Sequence, residues 1–179
     1  MTDALCPADP VPRLEAIFRA IASSRMAGVA ILNPALEVEA VGFRRCGDDW
    51  VGVLVTPWFM SLICLPDAAS ASETPSRPIQ ASGTKREMAL PSGAYEFLSA
   101  HEDELGPYLT SSLFSPMFEF PDMAQAREVA AAVLAEVFSL PEPDAAPVVR
   151  PPVGLVARLE QPVSRRGFLG ALLRPGEKT

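Results

Sequence analysis

The stretch from Val51 to Leu65 is the most apolar in the chain, yet Thr56, Pro57 and Ser61 interrupt it. It therefore falls short of the ~18 uninterrupted apolar residues that a membrane-spanning helix needs. A run of this kind, broken at a proline, reads as two buried strands: Trp50 to Val55 as a central strand, and Phe59 to Leu65 as its neighbour or continuation. Pro57 has no backbone N–H to give, so regular pairing must stop there. Two strands this apolar need other elements to cover them.

The flanking sequence supplies such elements. Residues 12–26 place Leu14, Ile17, Phe18 and Ile21 on one face and Arg13, Glu15 and Arg19 elsewhere, an amphipathic helix opened by Pro12 near its first turn. Asn33 and Pro34 break the chain. From Leu36 apolar and acidic residues alternate, so Val38 should point inward and Glu37 and Glu39 outward on a half-buried strand. Gly47, Asp48 and Asp49 form a turn. Residues 66–83, rich in Ala, Ser and Pro, read as a surface loop, and residues 85–90 and 94–100 as two strands joined through Pro91, Ser92 and Gly93. Asp122 and Gln125 have the spacing of a capping box ahead of Ala126, Val129, Ala130, Val133, Leu134 and Val137, which recur at helical period.

The fold expected from this order is α+β: a mostly antiparallel sheet packed with two main helices, both on one side of it, within residues 1–140. Pro141, Pro143, Pro147, Pro151 and Pro152 then make residues 141–161 an extended, semi-rigid linker. Residues 162–179 form a tail with a short C-terminal helix.

Two aromatic blocks each sit beside prolines: Thr56-Pro57-Trp58-Phe59-Met60 and Ser112 to Phe120, which holds Phe114, Pro116, Met117, Phe118, Glu119 and Phe120. Proline places these rings at strand ends, where apolar surface on rigid turns suits gripping another chain better than catalysis. Methionine and aromatic side chains adapt to varied partners. Trp58, Phe59, Met60, Phe114, Met117, Phe118, Glu119 and Phe120 are accordingly the candidate partner-binding residues. Trp58, Phe59, Phe114, Phe118 and Glu119 come first among them. The plainer reading makes the same rings ordinary core.

Composition narrows the partner. Lys and Arg number 15 against 22 Asp and Glu, a formal charge of −7, which disfavours a nucleic-acid backbone and favours basic partners. Cys6, Cys46 and Cys64 are odd in number and widely spaced, unlike a disulfide framework, and point to a reducing compartment. The first residues lack the basic start and apolar run of a secretory signal. No C-x-x-C or H-x-x-x-H spacing offers metal ligands, and no glycine-rich loop offers a phosphate site, so no cofactor is expected. His101, the one histidine, lies in His-Glu-Asp-Glu. A hydrolase using it would need a nucleophile and an orienting group, and no Gly-x-Ser-x-Gly context is present.

Several ordered motifs resemble a known family. Asn33-Pro34-Ala35-Leu36, Val41-Gly42-Phe43, Gly52 to Met60, Pro91-Ser92-Gly93-Ala94-Tyr95-Glu96-Phe97 and Ser112 to Phe120 are similar to the HybE or HupJ type of nickel-iron hydrogenase assembly chaperone, over residues 12–140. The resemblance implies a non-catalytic cytoplasmic chaperone that holds the hydrogenase small subunit, through its twin-arginine signal peptide, and prevents premature export. The large subunit or other maturation proteins would be further partners. Some members carry a rubredoxin-like extension; the paired C-x-x-C it would need is missing here. A self-associating assembly adaptor is the alternative reading, and a small His-dependent hydrolase a more distant one.

A signal-peptide groove needs carboxylates for two guanidinium groups and apolar wall for the residues after them. Glu37, Glu39, Glu96, Glu102, Asp103, Glu104 and Glu119 are the candidate acids. The tail itself carries Ser164-Arg165-Arg166-Gly167-Phe168-Leu169, the S-R-R-x-F-L core of a twin-arginine signal, at the wrong end of the chain and with too short an apolar segment to direct export. It reads either as a helix capped by Ser164 or as an internal imitation of the client signal, with Arg165, Arg166, Phe168 and Leu169 occupying the groove.

Overall fold

The computed structural model describes residues 9–66 and 82–140. Helix α1 (Val11–Ser23) is followed by strands β1 (Glu39–Cys46), β2 (Asp49–Val55), β3 (Met60–Pro66), β4 (Lys85–Leu90), β5 (Gly93–Glu102) and β6 (Gly106–Phe114), and by helix α2 (Met123–Val137). The strands form one antiparallel sheet in the order β1-β2-β3-β6-β5-β4. Two three-stranded meanders, β1-β2-β3 and β4-β5-β6, thus join along β3 and β6. The apolar run of the sequence becomes the β2–β3 hairpin near the sheet's centre, as its composition requires.

Both helices were expected on one side of the sheet; they cover opposite faces. Along β2 and β3 the residues Val51, Val53, Val55, Met60, Leu62 and Cys64 join one core with Ala126, Val129, Val133, Leu134 and Val137 of α2. Their alternates, Leu54, Ile63 and Leu65, join another with Leu14, Ile17 and Phe18 of α1. Successive side chains in a strand point to opposite faces, so strands apolar at every position must be covered twice. Burying one such side chain contributes about 1.5–3 kcal/mol, which is the gain a helix on each face secures.

Local signals match local structure. Pro12 lies in the first turn of α1. Asp122 caps α2 by accepting the Gln125 backbone N–H at 2.9 Å. Val38 is buried and Glu37 exposed, although β1 begins only at Glu39. The β4–β5 connection is tighter than the expected three residues, because Leu90 already pairs with Gly93 across Pro91 and Ser92. Ser92 bonds the Val137 carbonyl through both N–H (3.2 Å) and hydroxyl (2.8 Å), tying this turn to the end of α2. The Pro-rich linker 141–161 and the tail 162–179 lie outside the described residues.

Candidate functional site

The two aromatic blocks meet at one end of the sheet. Val55 pairs with Met60 across the β2–β3 turn, and Met60 pairs in turn with Phe114, the last residue of β6. Thr56, fully buried, organises the turn: its hydroxyl donates to the Phe59 carbonyl (2.9 Å) and accepts from the Phe59 N–H (2.9 Å), while its own N–H donates to the same carbonyl (2.8 Å). On the far side of the junction the Ser115–Pro116 peptide is cis. The Ser115 hydroxyl donates to the Trp58 carbonyl at 3.4 Å.

Asn33 binds these pieces together. It is buried, and its side-chain amide donates to the carbonyls of Met117 (3.0 Å) and Phe120 (2.7 Å) while its side-chain oxygen accepts from the Ala35 N–H (3.0 Å). Its backbone N–H donates to the Pro57 carbonyl at 2.8 Å. One residue, through side chain and backbone together, therefore fixes the segment around Phe118 against the β2–β3 turn, which leaves two rigid loops side by side. The sequence showed Asn33 as a chain break before proline and as the start of one family-like motif, without a structural role. The signal that could have singled it out is a polar residue among Ile31, Leu32 and Leu36, able to satisfy buried backbone.

The candidate partner-binding residues divide by exposure. Trp58 (9% exposed), Met60, Met117 and Phe120 are buried. Phe59 and Phe114 are half-buried, Phe59 meeting Phe18 and Trp58 edge-on at 5.9 and 5.6 Å between ring centres, Phe114 meeting Phe120 at 5.1 Å. Phe118 is 59% exposed and Glu119 beside it is exposed as well. A large exposed ring on a turn held by buried hydrogen bonds is the outward feature of this end of the molecule.

An open groove of about 470 Å³ lies between the end of α1 and residues 32–38, walled by Ala22, Leu32, Pro34, Leu36, Val38 and Pro57, with Asn33, which also bonds the Met117 and Phe120 carbonyls, in its lining and Arg19 and Glu37 among its polar residues. Sequence reading had not assembled this groove. Glu37 approaches the start of α2 through a backbone N–H contact to the Met123 sulfur at 3.2 Å. Arg19 is held by Glu15 (2.8 Å) and donates to the Val38 carbonyl (3.3 Å).

The remaining candidate acids scatter. Glu39 grips Arg127 with three contacts of 2.7–2.9 Å, and this hydrogen-bonded carboxylate raises Arg127 further above its ordinary pKa. Glu96 pairs with Lys85 at 2.9 Å and Glu102 with Arg25 at 2.5 Å. Glu102, Asp103 and Glu104 lie around the β5–β6 turn, at the opposite end of β6 from Phe114, and the Glu104 carbonyl accepts from Arg13. Near them Tyr108 stacks edge-on with Phe18, and burial, reinforced by Glu102 and partly offset by Arg25, pushes its phenol up to about 12. His101 is exposed, its Nδ1 3.8 Å from Asp103. Among the described residues no cluster of three His, Cys, Asp or Glu could hold a metal ion, and no helix is long and apolar enough to cross a membrane. Arg165, Arg166, Phe168 and Leu169 lie outside the described residues.

Comparison with known proteins meets this geometry. The chain is 39% identical over 153 residues to Protein HoxT of Cupriavidus necator, covering 82% of this chain and 85% of that one. It is 46% identical over 132 residues to the hydrogenase expression/formation protein HupT of Azotobacter chroococcum, covering 73% and 83%. The solution structure of HybE from Escherichia coli superposes with a TM-score of 0.57 at 25% identity, over 81% of this chain and 88% of that one. Residues 9–171 match the family described as "NiFe-hydrogenase assembly, chaperone, HybE". With sequence, relatives and fold in agreement, the chain belongs to the HybE family of nickel-iron hydrogenase assembly chaperones.

Proposed function

We propose that this hydrogenase maturation chaperone acts in the cytoplasm by holding the hydrogenase small subunit through its twin-arginine signal peptide, without catalysis, until assembly is complete. The observation that supports the reading is that Asn33, in the lining of an apolar groove, also holds the turn that exposes Phe118 and Glu119, on loops locked by Asn33 and Thr56. A rigid, preformed site loses little entropy on binding. Phe118 and the groove would take the apolar residues that follow the arginine pair, and Glu37 and Glu119 would face the guanidinium groups. The buried Trp58, Met60, Met117 and Phe120 would support that surface from beneath.

Such a chaperone works by occupancy. Hiding a signal about 90% of the time requires free chaperone at about nine times the dissociation constant, so micromolar affinity is sufficient and release remains fast. Calorimetric titration with a small-subunit signal peptide, beside the same peptide with both arginines changed to lysine, tests the reading. Binding that weakens sharply with lysine is expected, because lysine cannot make the bidentate contact. Failure to bind either peptide would overturn the signal-peptide reading and turn attention to the folded subunit.

A further inference from the structure

The chain carries its own copy of the ligand class just described, and the structure offers it a place to dock. We propose that the C-terminal segment Ser164–Leu169 occupies the groove beside Asn33 when no client is bound, as an intramolecular competitor that sets the affinity threshold for clients; this rests on the signal-peptide reading of the same site.

Three observations converge. The first is chemical identity: Ser164-Arg165-Arg166-Gly167-Phe168-Leu169 pairs two guanidinium groups with two apolar side chains, in the order a groove with one polar rim and one apolar wall would accept. The second is charge complementarity. Glu37 is the acidic residue lining the groove, Arg19 in the same lining already has Glu15 as its counter-charge, and nearby Glu39 is committed to Arg127. The third is reach. Residues 141–163 separate the end of the described chain from the motif, and at ~3.1 Å per residue an extended Pro-rich segment spans ~70 Å. The groove adjoins Glu37, which contacts the first residue of α2, while the tether leaves from beyond α2's last residue. A helix of that length spans only ~22 Å. The tether is long enough with slack to spare.

A tethered peptide has an effective concentration on the order of 1 mM. If its intrinsic dissociation constant is ~0.1 mM, client affinity falls about tenfold. A genuine signal still displaces it, and weak apolar peptides do not.

The test compares the full chain with the full-length double variant Arg165→Gln/Arg166→Gln. Backbone amide shifts read tail docking directly, and calorimetry with a synthetic twin-arginine signal peptide reads the competition. Docking predicts shift differences concentrated at Leu32, Asn33, Glu37 and Val38, similar changes in Glu37→Lys, and about tenfold tighter peptide binding in the arginine variant. Unchanged shifts at those positions, with equal peptide affinity in both proteins, would overturn the tail proposal while leaving the signal-peptide reading intact. Localised shifts without peptide binding by either protein would uphold tail docking and overturn the signal-peptide reading.

Discussion

The side-chain amide of Asn33 donates to the carbonyl of Phe120 at 2.7 Å, joining residues 87 positions apart and completing the end of the molecule that presents Phe118. The same amide holds the Met117 carbonyl at 3.0 Å, so one side chain contributes a hydrogen bond to each of two backbone acceptors. Asn33→Ala removes the donor to the Phe120 carbonyl and leaves the Met117 carbonyl with the Phe120 N–H alone. The expected cost is about 3 kcal/mol. For a chain of this size that corresponds to a fall of about 10 °C in Tm. Calorimetric unfolding checks the loss, and faster hydrogen exchange of the Phe120 amide, which bonds the Met117 carbonyl at 3.2 Å, would localise it.

Phe118 and Trp58 should separate binding from folding. Phe118 projects into solvent, so Phe118→Ala should change stability by no more than about 0.5 kcal/mol. Its affinity for a signal peptide should fall by about 2 kcal/mol, or about thirtyfold. Trp58→Ala removes a ring packed with Leu54, Ile63 and the α1 side chains, and should destabilise the fold by about 3–5 kcal/mol. Denaturant titration beside peptide titration distinguishes the two; equal stability losses would remove Phe118 from the contact surface.

Gly52 and Phe43 form a second constrained pair. A Cβ on Gly52 would come within 2.3 Å of the Phe43 ring, which occupies the space a side chain would need there. Gly52→Ala should therefore cost about 1–3 kcal/mol by overpacking. Adding Phe43→Leu should recover part of that loss, and a double-mutant cycle in urea measures the recovery.

Tyr108 makes stability sensitive to alkaline pH. Its phenol is raised from the usual 10.0 to about 12, so the folded state binds the proton more tightly than the unfolded state. The stabilisation is fully present below about pH 10 and is lost as pH rises toward about 12. Urea midpoints across this range should fall more steeply for the native protein than for Tyr108→Phe. Coincident slopes would show that burial does not perturb this group.

Periodicity made much of the fold legible. The helical spacing of Val129, Val133 and Val137 and the cap at Asp122 are local signals that produced the expected helix, while the alternation around Val38 gave the right burial but lies just ahead of β1. The placement of both helices on one face did not follow, because a side assignment needs the whole set of strand faces. Val53 and Leu54 look alike in sequence and lie in different cores.

The candidate surface was legible in outline only. The proline-flanked aromatic blocks do converge, through the pairing of Met60 with Phe114. Which rings reach solvent could not be read from residue type: Phe118 and Phe120 are two positions apart and have opposite fates.

By itself, the sequence determined the helices, the strands other than β6, the turn at Pro57 and, through its ordered motifs, the family, since these depend on residues close together in the chain. Tertiary structure alone decided the opposite placement of α1 and α2, the groove beside α1 and the role of Asn33. Those depend on contacts across distant segments, and a hydrogen bond spanning 87 residues leaves no periodic trace in the sequence that makes it.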